Sequence, residues 1–353
     1  MKKYVCLSLV FLLVFLTACS DKGRYFSGEV SDLQTEDGNI VSFVITDEAG
    51  KRTGILVPED AAFTSRVDPE AGAEKELLLS GQRGTSVSVE CKGGRASLTT
   101  DSGEKLPAYT AWFIAVNGYL TPNAAALRDG TPLDVFHWTD GVTYRLTDGT
   151  DLLYVRDSFG PEHVYISDRD GYDDLSKAAQ EKISAYYKDR GLLYSVEDEL
   201  ELAYANIPAH VSGQPIPGLG QDVSPNSSSE RVIYFLTCLT LPVYGNRTAN
   251  VTEVHLCDAF DRETGEHIDG WDLFACSPEE AVQALLNLAQ ITEQPLRSEI
   301  EAAFQPEYMH LYSGSLEVFL PKGALPSEGT SWGFWLDYND GLRDVFHDWA
   351  LPD

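Results

Sequence analysis

The runs RVIYFLTCLTL at residues 231–241 and VTEVHLCDAF at 251–260 frame the fold. Both are rich in β-branched and aromatic residues, the composition of a strand. The stretch around 245–250 supplies a turn, so the two runs are expected to fold back on each other. Folding about Arg247 and Thr248 would set Cys238 opposite Cys257, a candidate cross-strand disulfide in an oxidising compartment. Two free, buried thiols fit the same pattern, because Cys packs as a small hydrophobe.

Downstream of this pair, Ser277-Pro278-Glu279-Glu280 reads as a helix opening, with a Ser cap, Pro in the first turn and Glu at the third position. Val282, Leu285, Leu286 and Ala289 then follow at helical spacing, and a second helix is expected after Pro295. Strands return at 315–320 and 331–338. Period-two alternation sets Trp332, Phe334, Leu336 and Tyr338 on one face of the last strand and Trp335 with Asp337 on the other. Trp335 and Asp337 are therefore candidate binding residues, an exposed platform for a sugar ring or a partner side chain. A second buried layer beneath helices is the alternative. Together these elements predict an α+β domain over 231–353.

Upstream, residues 208–230 are rich in Pro, Gly and Ser, which marks a loop or linker. Residues 171–207 read as a short helical segment. In 174–190 Leu175, Ala178, Ala179, Ile183, Tyr186 and Tyr187 share a face, and Ser195 opens a second helix. Residues 27–170 alternate short β-rich runs with turn dipeptides such as Asp129-Gly130, Asp140-Gly141 and Asp148-Gly149. The part to about 116 resembles a small OB-like β-barrel, and the rest extends it. The expected class is thus α+β: an OB-like barrel, a helical segment and an α+β C-terminal domain.

The start of the chain speaks to location. Lys2 and Lys3 precede an apolar run over 4–16, which ends in Leu16-Thr17-Ala18-Cys19. A basic start, a short apolar core and small exit residues describe a secretory signal, too short for a full span. Leu-Thr-Ala-Cys resembles the lipobox of bacterial lipoproteins. The resemblance implies removal of residues 1–18, acylation of Cys19 and a tether over 19–26. The expected location is the extracytoplasmic face of the cell membrane, held by the N-terminal lipid.

Composition narrows the partners. The 353 residues carry 26 basic and 55 acidic side chains, a formal charge of −29. Such a balance argues against nucleic acid and against adhesion to anionic lipid, and it favours a cationic partner. No C-x-x-C pair and no His spacing on one helix face suggests a metal site, and no cofactor motif is present. No nucleophile motif such as G-x-S-x-G occurs, so no catalytic residues are assigned.

Phe260-Asp261-Arg262-Glu263-Thr264-Gly265, then Trp271-Asp272-Leu273-Phe274 and a helix, resemble an extracytoplasmic domain of unknown function. That domain occurs in peptidoglycan deacetylases and in the ectodomain of a lysozyme-sensing anti-sigma factor. Val318-Phe319-Leu320-Pro321 and Leu336-Asp337-Tyr338 fall in its later strands. The resemblance covers about 195–350 and implies recognition of something in or near the cell wall, with lysozyme-like proteins as one example. It carries no deacetylase chemistry here, because the deacetylase domain is missing. The expectation is a non-catalytic, lipid-anchored surface protein that binds a cell-envelope component or a cationic extracellular protein. The alternatives are a solute-binding lipoprotein of a transporter and an envelope hydrolase of unrecognised type.

Overall fold

A computed structural model of the chain describes residues 23–67, 84–156, 171–207, 216–244 and 251–352. The segment expected to be a signal, residues 1–18, and Cys19 lie outside the described residues. The chain divides into two compact units, residues 1–151 and 152–353.

The first unit is built on strands β1 (Arg24–Glu36), β2 (Asn39–Thr46), β3 (Arg52–Leu56), β4 (Ala62–Ser65), β5 (Ser86–Thr99) and β6 (Lys105–Ala126). Their order is β6-β3-β2-β1-β5, and β5 pairs again with β6, so the sheet closes on itself. Closure leaves no long edge open for association. All these contacts are antiparallel except β3–β6 and β4–β6, which are parallel. Alternation fills the interior: Phe43, Ile45, Ile55, Val87, Val89, Cys91 and Ile114 are buried in one cluster. Strand β6 runs on past the barrel and pairs with β7 (Pro132–Trp138), which pairs with β8 (Gly141–Leu146).

The second unit contains β9 (Asp151–Arg156), α1 (Lys177–Arg190), α2 (Val196–Ala205), β10 (Gly218–Ser228), β11 (Val232–Pro242), β12 (Val251–Asp261) and β13 (His267–Ile268). It continues with α3 (Pro278–Leu288), α4 (Leu296–Ala303), β14 (Met309–Tyr312), β15 (Ser315–Leu320), β16 (Trp332–Asp337) and α5 (Asp340–Arg343). Strands β9-β10-β11-β12-β13 form one sheet and β14-β15-β16 a second. The larger sheet buries both faces. On one, Ile233, Phe235 and Phe260 pack with Ala179, Ile183 and Tyr187 of α1. On the other, Val232, Tyr234 and Ala259 pack with Leu285 and Leu286 of α3, Ile300 of α4 and Leu316 and Val318 of β15. The start of α3 is the capping box expected there, with Ser277 and Glu280 satisfying each other's backbone N–H groups.

Two expectations need correction. The described residues are mostly β, 48% strand against 20% helix, so the α+β class is overturned. The region assigned to a linker is also part of the sheet: Gly218–Ser228 is β10, an inner strand between β9 and β11. Pro225, which argues against a central strand, sits where the β10–β11 register shifts, and a bulge tolerates the missing N–H.

Candidate functional site

The hairpin that opened the sequence reading is antiparallel, but its register differs from the expected one by two residues. Cys238 faces His255 and Cys257 faces Leu236. A two-residue shift keeps both thiols on the same face and makes them diagonal neighbours, about 7–8 Å apart in such ladders. That exceeds the usual disulfide span, and both cysteines are free. Burial pushes the Cys238 thiol up to about 11 and raises Cys257 well above the ordinary thiol value.

The same register brings Cys238, Glu253 and His255 together, with one ligand-type atom of each within 4.8 Å of the others. Spacing along the chain could not reveal this group, because its members come from two strands. Next to it lies His310 of β14, fully buried, its ring 5.6 Å from that of His255. Phe319 stacks on His255 at 4.7 Å. Burial lowers the His310 imidazole, against the opposing pull of Glu317. Glu317 Oε2 lies 3.4 Å from His310 Nδ1 and accepts from the Tyr312 hydroxyl at 3.2 Å.

Glu317 also connects to the candidate platform. Across the small sheet His310, Glu317 and Trp335 share one row, and Tyr312, Ser315 and Asp337 the next. Inward-pointing Leu316, Val318 and Leu336 anchor the opposite face in the core. Trp335 is 58% exposed and stacks on Tyr312 at 5.4 Å, with an interplanar angle of 18°. Asp337 is exposed on the same face. The structure therefore brings the two predicted binding residues to one surface and adds Tyr312 and Glu317, which sequence alone did not single out. The alternation of polar and apolar residues in 309–320 was the available signal.

A second group sits on the other side of the larger sheet. Asp258 is 6% exposed and accepts from the hydroxyls of Tyr186 and Tyr187, both at 3.0 Å, and from Arg190 at 2.6 Å. His267 Nε2 is 3.6 Å away. Burial would raise this carboxyl, but His267, Arg190 and the tyrosine hydroxyls together hold it below the ordinary value. A cavity of about 310 Å3 opens beside it, lined among others by His267, Trp271 and Glu307. Both oxygens of Asp258 accept hydrogen bonds from α1, so it serves as a clamp between α1 and β12. One acid inside the apolar run 251–260 was the sequence sign of it.

No family model matches the chain, and no curated protein matches it. Solved structures do resemble it. A DUF3298 family protein from Pseudomonas aeruginosa shares 10% identity over 67% of this chain and 94% of its own, with a TM-score of 0.31. A DUF3298 family member from Bacteroides fragilis shares 13% identity over 66% of this chain and 93% of its own, also with a TM-score of 0.31.

Proposed function

We propose that this chain is a lipid-anchored, non-catalytic binding protein of the extracytoplasmic face, and that the outer face of β14–β16 holds a cationic protein partner. The observation that carries the reading is Trp335, more than half exposed yet fixed by stacking on Tyr312, with Glu317 in its own row and Asp337 in the next. An exposed Trp normally costs solubility, whereas a rigid indole beside carboxylates suits a Lys or Arg side chain through cation–π and charge together. The net charge of −29 supports the same sign of partner by long-range steering. Residues 1–20 support the anchor.

Lysozyme, the cationic protein to which the resemblance points, is a direct probe. The full chain in detergent should bind it, and Trp335→Ala should weaken binding roughly tenfold, as loss of a central aromatic contact does. Asp337→Asn should act mainly through the association rate. Unchanged affinity in Trp335→Ala, measured by calorimetry, would move the contact off this face.

A further inference from the structure

Cys238 and His255 are directly opposed across β11–β12, and Glu253 lies two residues before His255 on the same face. Thiolate, imidazole and carboxylate are together the donor set of a borderline-soft ion: Mg2+ and Ca2+ take oxygen alone, whereas Zn2+ accepts all three. Tetrahedral Zn2+ with bonds of about 2.0–2.3 Å needs donors about 3.3–3.6 Å apart. The three donors already lie within 4.8 Å of one another, so side-chain rotation on two paired strands closes the difference without moving the backbone.

His310 is a second, independent observation. Its side chain is fully buried, and its Nε2 has no hydrogen-bond partner among the described residues. A buried polar atom without a partner calls for an explanation. The Nδ1 edge faces Glu317. A neutral imidazole that donates Nδ1–H to a carboxylate presents its Nε2 lone pair on the far edge, the arrangement by which an outer carboxylate orients a metal-bound histidine. The His255 and His310 rings stand 5.6 Å apart and tilted by 45°, close enough for one ion between them to take a nitrogen of each. Phe319, stacked on His255, keeps that ring in place.

We infer that Cys238, Glu253 and His255 bind a Zn2+-type divalent ion, with His310 as the fourth ligand. The ion would tie the β11–β12 hairpin to β14 and, through Glu317, fix Tyr312 under Trp335. The site is independent of what the platform binds. Without a metal, Glu253 and His255 make only a partly exposed contact at 3.4 Å.

The test uses the full chain in detergent, stripped with chelator and titrated with Co2+ and then Zn2+. One Co2+ per chain with thiolate-to-cobalt charge-transfer absorption is expected, and Zn2+ should displace it and raise the Tm. Cys238→Ser should abolish the charge-transfer band. His255→Gln and His310→Gln should each weaken Co2+ binding by at least about tenfold, the scale seen even for outer residues of such sites. Circular dichroism checks that each variant folds. Should Cys238→Ser unfold, Glu253→Gln, at a largely exposed side chain, must show the same loss of affinity. Absence of the band in the parent chain overturns the inference, as does a band that survives Cys238→Ser or binding indifferent to His310→Gln.

Discussion

Asp258 shows how one side chain sets local stability. A carboxylate taken out of water is costly unless it is paired and hydrogen-bonded, and here Arg190, Tyr186 and Tyr187 all donate to it. Asp258→Asn removes the charge and leaves Arg190, only 20% exposed, with Glu307 at 4.0 Å as its remaining partner. Breaking such a buried pair from one side should cost about 3–5 kcal/mol, measured by urea unfolding at neutral pH. The pH dependence follows from the sign of the shift. A carboxyl held lower in the folded chain than in the unfolded one contributes fully above its unfolded value of about 3.9. That contribution fades as pH falls through the lower, folded value. The gap between parent and Asp258→Asn should therefore be flat from about pH 5 to 8 and shrink below about pH 4. A gap under about 1 kcal/mol at neutral pH would show that the network adds shape and little stability.

At the scale of elements, the turn between β12 and β13 carries more than its length suggests. Asp261 Oδ1 accepts from the N–H groups of Glu263 and Thr264, and Gly265 follows at φ +72°. A Cβ on Gly265 would meet the Ala179 carbonyl oxygen of α1 at 2.5 Å. Gly314, in the β14–β15 turn, also has positive φ, at +88°, but nothing lies within 4 Å of its missing Cβ. Gly314→Ala should cost about 1–2 kcal/mol from backbone strain alone, while Gly265→Ala should cost clearly more and loosen α1 from the sheet. Equal losses in thermal unfolding would remove the close approach as the cause. This turn was legible, because Asp261, Thr264 and Gly265 are turn residues with a mechanism. So were the cap of α3 and the two-faced alternation of β16. Strand β10 was not, because Gly218, Gly220 and Pro225 dominate its composition, and only its place between β9 and β11 makes it a strand. The Cys238, Glu253 and His255 group was hidden for a related reason: a two-residue error in register preserves which side chains share a face but exchanges every cross-strand partner.

For the whole molecule, charge and anchoring make opposing demands. Among the described residues no helix is long and apolar enough to cross a membrane, and a body of charge −29 is repelled by an anionic lipid surface. Under the proposed anchor, membrane retention would depend on Cys19, with several acyl chains supplying what one could not. An acyl-chain label should enter the parent chain and be absent from Cys19→Ala, and that variant should leave the membrane fraction. Electrostatic adsorption predicts the opposite salt response, because peripheral charge contacts hold at low ionic strength and fail at high. Parent chain that stays with membranes at every salt concentration, beside a Cys19→Ala form that is released even at low salt, assigns retention to the lipid. The partner contact should behave in the contrary way: lysozyme binding at β14–β16 ought to weaken steeply as salt rises through the range where the Debye length falls from about 30 Å to 10 Å. Acyl label persisting in Cys19→Ala would dismiss the anchor, and salt-independent lysozyme binding would dismiss the steering, each without touching the other.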